Sequence, residues 1–575
     1  MLLRIFSETY RFSRNIAFRY YSANPIKTVK VQVRQGVVVG REERLPNGAP
    51  YHVFRGVPYA VPPLGKLRFQ PPQPLERFET PELDCTRFRE PPVQRDRATN
   101  KFIGSEDCLY INIYVPVKSS LQPLPVIAWV PGGAFTFGHG HRFLPLSLMM
   151  EDVIVIFINY RVGVLGFGCL PEAGIWGNDG VKDQRQALRW VQENIAYFNG
   201  DPDKVALGGE SSGAACVSLH TFSSHANKLF HKAIMQSGLV TNDWAFQRTP
   251  QEKMYRLCEM LGCPSKDPKK ILEFLQTSEK AAADVILSKT NSLILLDDRR
   301  RSTPFPVSHV VEDPNSPDPI ISTPVLDLMR TENTLNVPTI IGHNSAEGIM
   351  VIEHWFKKLD EVDQDLERFL PRNIPLPKDH PHMKVLAEKI RKFYFGGGKV
   401  TFETLQGLSN LLSDYICATD IKLAVEMLAT YQPQAPIYAF NFNYNGARDY
   451  FKRIKKSEHL EGACHTDELF YLFQSFTDDL STFNEHDLQI TKRMSAMWAN
   501  FARHSDPTPM DSDITKELGF RWTPVGKPAV GSDLGQDYLI IDRHMRMQDE
   551  PAKERGDFWR EIYRSYPPLD YSVIN

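Results

Sequence analysis

The chain lacks three things that would place it outside ordinary globular enzymes. It has no Asn-x-Ser/Thr sequon, no CxxC pair, and no apolar run long enough to span a bilayer. A chain of 575 residues that is secreted usually carries several sequons, so their absence points to an intracellular protein, not a secreted one. Eight cysteines (Cys85, Cys108, Cys169, Cys216, Cys258, Cys263, Cys417 and Cys464) are too few and too scattered for a disulfide scaffold. None of them sits in a zinc-like cluster, so no metal is expected. Net charge is also nearly absent, at −2, which gives no basic field for nucleic acid. There is no fixed-period repeat and no low-complexity linker. Nothing in the sequence specifies an oligomeric state. What is present is ordinary: 42% hydrophobic and 24% charged residues, enough for a sizeable core.

Residues 1–26 stand apart. Arg4, Arg11, Arg14 and Arg19 fall on one arc of a helix, and Leu2, Ile5, Phe6, Ile16 and Ala17 on the other. No apolar stretch there resembles the core of a secretory signal. Three readings fit this composition. One is a mitochondrial transit peptide, with Arg19-Tyr20-Tyr21-Ser22 similar to a processing site. The second is peripheral contact of residues 1–23 with a membrane surface, and the third is a disordered or docked tail. Otherwise the expected compartment is the cytoplasm.

From Lys30 onward strands and helices alternate. Lys30 to Val39, Tyr51 to Arg55, Leu109 to Val115, Val126 to Val130, Val153 to Asn159 and Val205 to Gly208 read as strands. Lys182 to Tyr197 reads as a helix, with Ala187, Leu188, Val191 and Ile195 on one face and Gly200 beyond its end. A second helix is expected over Ala214 to Phe222. This order predicts an α/β fold with a mostly parallel central sheet flanked by helices. Pro250 to Glu361 is richer in proline and charge and reads as helical and loop insertions. Residues 27–575 are expected to form one domain; two domains meeting near residue 320 is the alternative.

Gly209-Glu210-Ser211-Ser212-Gly213 matches G-x-S-x-G between a predicted strand and a predicted helix. That is the setting of a nucleophile elbow, in which a sharp turn projects the serine hydroxyl and the helix N-terminus faces a developing oxyanion. Outside such a setting the pentapeptide is an ordinary Gly/Ser turn.

Several further segments together resemble type-B carboxylesterases, the family that includes cholinesterases. They are Phe54-Arg55-Gly56-Val57-Pro58-Tyr59-Ala60, Leu67-Arg68-Phe69, Ser105-Glu106-Asp107-Cys108-Leu109-Tyr110, Asn159-Tyr160-Arg161 and Gly177-Asn178-Asp179-Gly180. The stretch Gly462-Ala463-Cys464-His465-Thr466-Asp467-Glu468 is most similar to insect α-esterases. The resemblance implies an α/β-hydrolase fold and a triad of Ser211, Glu347 and His465, in that chain order. In these roles Ser211 attacks, His465 takes and returns its proton, and Glu347 orients the imidazole. It further implies an oxyanion hole from the backbone N–H groups of Gly133, Ala134 and Ser212, a pocket with Trp244 and Phe135, and no cofactor. Cys85 and Cys108 match the family's first disulfide pair.

The chain departs from the family pattern at four places. Pro131 stands where His or an aromatic residue is usual, Ala134 replaces a third glycine, Gly208 stands where Phe is common, and Ser212 where Ala is common. Trp244 is expected to favour short acyl groups. No tryptophan lies between Cys85 and Cys108, which disfavours a quaternary ammonium substrate. Glu210 stands where juvenile hormone esterases usually show Gln, which disfavours hormone turnover. Adhesion proteins of this fold typically lose the nucleophile and gain a membrane span, unlike this chain. The expected activity is a serine carboxylesterase for uncharged small-molecule esters, broad or detoxifying in scope and sensitive to organophosphates.

Overall fold

A computed structural model describes residues 27–566 except 97–98, 119–121, 301–302, 331–335, 373, 375, 378–379, 432–433, 456, 476–482 and 527–536. The amphipathic segment 1–26 lies outside the described residues.

Runs of Val, Ile and Phe such as Ile154–Ile158 are buried along their whole length, as central parallel strands covered on both faces must be. Among the described residues thirteen strands form one sheet. In chain order they are β1 (Thr28–Val33), β2 (Gly36–Arg44), β3 (Pro50–Pro58), β4 (Glu82–Asp84), β5 (Tyr110–Pro116), β6 (Leu124–Val130), β7 (Ile154–Ile158), β8 (Gly200–Glu210), β9 (Lys232–Gln236), β10 (Thr339–Asn344), β11 (Ile437–Phe442), β12 (Tyr538–Ile541) and β13 (Arg546–Gln548). Their spatial order is β1-β2-β3-β5-β7-β6-β8-β9-β10-β11-β12-β13, with β4 beside β2. From β7 to β12 in this spatial order neighbours pair in parallel, and the strands at both margins pair antiparallel apart from β4, which runs parallel to β2.

The main helices are α1 (Asp179–Asn194), α2 (Ser212–Phe222) and α3 (Glu485–His504). Helices α1 and α2 bury Leu188, Val191, Val217 and Leu219 in the core on one face of the sheet. Helix α3 buries Met494, Met497, Trp498 and Phe501 in the core on the other.

Two features differ from the sequence expectation. Lys30 to Val39 is a hairpin, not one strand, because the chain reverses at Arg34-Gln35 and Gly36 takes φ +146°. Pro250 to Glu361 is more than insertion, since it contains the central strand β10. Strands on either side of residue 320, β9 and β10, are hydrogen-bonded neighbours, so the sheet runs through that point.

The segments that carry the family resemblance act as ties. The Arg161 guanidinium grips Asp183 of α1 at 2.7 and 2.8 Å. Arg68 Nε donates to Glu106 at 2.7 Å, and Asn112 accepts the Gly56 N–H at 2.9 Å. All eight cysteines are free thiols, Cys85 and Cys108 both buried.

Candidate active site

The loops after β6, β8 and β10 converge at the carboxyl ends of the parallel strands, where ligand crevices form in open α/β sheets. Strand β8 ends at Glu210 and α2 starts at Ser212, which leaves Ser211 alone to make the turn, at φ 58° and ψ −128°. A non-glycine residue held there stores about 1–3 kcal/mol of strain. The turn is held by Ser211 N–H donating to Gln236 O at 2.9 Å and Ala215 N–H donating to Ser211 O at 3.0 Å. Neighbouring backbones leave no room for side chains. A Cβ on Gly213 would sit 2.2 Å from Val130 O, and one on Gly238 would sit 2.1 Å from Ser211 O.

The loop after β6 passes in front of Ser211. Gly133, Ala134 and Phe135 all have positive φ, at 139°, 52° and 58°. Thr136 and Phe137 N–H both close on Gly133 O at 3.0 Å, and the Tyr160 hydroxyl holds Pro131 O at 2.7 Å. Among the described residues, the N–H groups of Gly133, Ala134 and Ser212 donate to no acceptor. The absence of Phe at position 208 has a packing reason, since a Cβ on Gly208 would lie 2.6 Å from the Trp129 ring.

Glu347 follows β10 and is fully buried. Its Oε2 is 2.5 Å from His465 Nδ1, and its Oε1 accepts the Asn344 N–H at 2.7 Å. Burial alone would raise the Glu347 pKa, but the His465 charge and hydrogen bond outweigh it and lower it. The Asn344 amide also donates to Cys464 O at 2.7 Å, which pins the chain beside His465 to β10.

Two carboxyl groups outside the expected triad complete this part of the site. Glu210 Oε1 is 3.2 Å from His465 Nε2 and accepts the Thr466 hydroxyl at 2.9 Å. Glu468 reaches Asn344 Nδ2 at 2.5 Å and accepts from Gln236 at 3.1 Å. Burial raises the pKa of Glu210, and burial plus the charges of Glu210 and Glu347 raise that of Glu468. Burial opposes a charge on His465, but Glu210 and Glu347 overcome it and raise its pKa. Among the described residues Ser211 Oγ makes no hydrogen bond, and His465 Nε2 faces Glu210 instead.

Ser211, Glu347 and His465 line one open cavity of about 1110 Å³, together with Gly133, Ala134 and Trp244. Trp244 is fixed by Nε1 donating to Ile416 O at 2.7 Å. Phe135 is a correction, because its ring is fully buried and is not part of the cavity wall. The ring packs behind Trp244 and Phe305, at 6.0 and 6.2 Å, and so supports the pocket without lining it. Among the described residues no group of three His, Cys, Asp or Glu is arranged to hold a metal ion, and no helix is long and apolar enough to cross a membrane.

The sheet order and the crevice at its carboxyl edge define an α/β-hydrolase. The chain belongs to the carboxylesterase family, whose model matches residues 27–559, and is a carboxylic ester hydrolase. A carboxylic ester hydrolase of Bombus ignitus is 30% identical over 86% of this chain and 88% of its own length. Esterase FE4 of Myzus persicae is 30% identical over 88% and 89%. The crystal structure of juvenile hormone esterase from Manduca sexta, with OTFP covalently attached, superposes with a TM-score of 0.78. It is 27% identical, and the match covers 94% of this chain and 100% of that one.

Proposed function

We propose that this hydrolase works through an acyl-serine intermediate on Ser211. The carrying observation is the 2.5 Å contact between His465 Nδ1 and Glu347, in the same cavity as a serine held on a strained elbow. Serine is a poor nucleophile at neutral pH, so His465 Nε2 must leave Glu210 and take the Ser211 proton as the ester carbonyl is attacked. The N–H groups of Gly133, Ala134 and Ser212 receive the oxyanion, and the imidazolium, steadied by Glu347, returns the proton to the departing alcohol. Water then repeats the sequence and releases the acid.

The substrates are uncharged esters of broad structure, with the acyl group against Trp244. This breadth suits a detoxifying role, and an organophosphate would phosphorylate Ser211 through the same attack. The covalent compound on the Manduca sexta relative is consistent with covalent chemistry in this family. The test is hydrolysis of p-nitrophenyl acetate and butyrate by the wild-type protein and Ser211→Ala. Turnover lost in the variant supports the reading, and turnover retained defeats it.

A further inference from the structure

The cavity carries polar side chains that the reaction above does not use. Its two sides belong to different cores. Trp244 and Ile416 are part of the core on one face of the sheet. Trp129, Phe143, Phe157 and Leu469 are part of the core on the other face. Ser211 makes the turn at the end of the strand between them, so an ester bound across it directs its acyl and alkoxy portions to opposite sides. With the acyl group against Trp244, the alkoxy portion meets the second side.

His139 lines the cavity there. It precedes Gly140, whose backbone lies so close to Phe157 that a Cβ would stand 2.7 Å from that side chain. The His139 Nδ1 accepts the backbone N–H of His141 at 3.2 Å. A backbone N–H can only donate, so Nδ1 is bare and the neutral ring carries its proton on Nε2. Burial, with the Arg142 charge in support, lowers the His139 pKa to about 4, which keeps the ring neutral in the working range. Among the described residues nothing accepts from Nε2, and that atom is not among the sealed, unpartnered ones. A donor with a fixed tautomer therefore stands on a wall that is otherwise mainly aromatic.

We infer that His139 Nε2–H donates to an acceptor oxygen in the alkoxy portion of the ester. His139 is thereby a specificity-determining residue, favouring ether- or carbonyl-bearing alcohols over plain alkyl alcohols of equal size. Its return is largest for a substrate that fills the aromatic side and leaves the donor no water partner. The inference rests on the acyl-serine reading and on the acyl group lying against Trp244.

The test compares kcat/KM for 2-methoxyethyl butanoate and butyl butanoate, which differ by one ether oxygen in place of a methylene. The ratio is measured in wild type, His139→Phe and His139→Gln, with Ser211→Ala as control. Each ratio is internal to its variant, so a fraction of unfolded protein cancels, and the intrinsic reactivity of the two esters cancels when the ratios of the variants are compared. The ratio is expected to fall roughly 5- to 10-fold in His139→Phe and to recover in His139→Gln, which keeps a donor. An unchanged ratio in His139→Phe, with turnover that still needs Ser211, overturns this inference alone. Sensitivity to His139→Phe that appears only when the oxygen moves into the acyl chain, as in butyl methoxyacetate, also overturns it. Turnover that survives Ser211→Ala overturns the acyl-serine reading and this inference together.

Discussion

Around Ser211 the site is held by backbone packed so closely that a single methyl group would collide, 2.2 Å from Val130 O or 2.1 Å from Ser211 O. Around His465 it is held by buried carboxyl groups: Glu347 on one ring nitrogen, Glu210 on the other, and Glu468 behind them. The serine half thus depends on shape and the histidine half on charge. Steric constraints are local and persist at any pH. Charges placed by distant parts of the chain respond to pH and to the loss of any one partner.

The comparison can be broken most sharply at Glu347. Glu347→Gln turns an acceptor into a donor toward Nδ1 and favours the wrong tautomer. A fall in kcat of roughly 1,000- to 10,000-fold is expected with little change in thermal stability. Steady-state kinetics and a melting curve check both parts.

On the serine half, Gly213→Ala should act in the opposite way. Stability is expected to drop by about 3 kcal/mol or more, and activity should be lost with the fold, as read by denaturant unfolding.

Glu210→Gln sharpens the charge side. Glu210 raises the pKa of His465, and base catalysis needs the neutral ring, so kcat/KM rises as pH climbs through that pKa. Removing the Glu210 charge lowers the pKa. The acid limb of the profile should then move to lower pH by roughly 1–3 units. A limb that stays in place or moves up would mean that Glu210 does not act on His465.

The smallest effect is expected from Trp244→Leu, which reshapes the pocket and removes the hydrogen bond to Ile416 O but leaves the charges of the site unchanged. Hydrolysis of hexanoate relative to acetate esters should improve about 10-fold, with the pH profile unchanged.

The same division explains what could be read from the sequence. The elbow is a local pattern, because the strand, the glycines and the start of α2 all lie between Gly200 and Phe222. Glu347 and His465 were recognisable only through family context, since no spacing rule connects them to Ser211. The positions of Glu210 and Glu468 against His465 follow from the folded path of the loop after Gly462, which carries no periodic signal. The His139 tautomer depends on one backbone N–H two residues away. In the scaffold, β7 and β6 were legible as apolar runs. Strand β10 was hidden in a proline-rich stretch, because a short, fully buried strand shows no alternation. The place of Phe135 was not legible because the positive φ values across the loop after β6, which send its ring into the core, are not visible in a Gly-Gly-Ala-Phe string.

The central claim is that Ser211 forms the covalent intermediate. The most direct measurement is intact mass and peptide mapping after the purified protein reacts with a fluorophosphonate probe, beside Ser211→Ala. The account predicts one adduct, located on the peptide that contains Ser211 and absent from the variant. An unlabelled wild-type protein, or an equal adduct on Ser211→Ala, would contradict it.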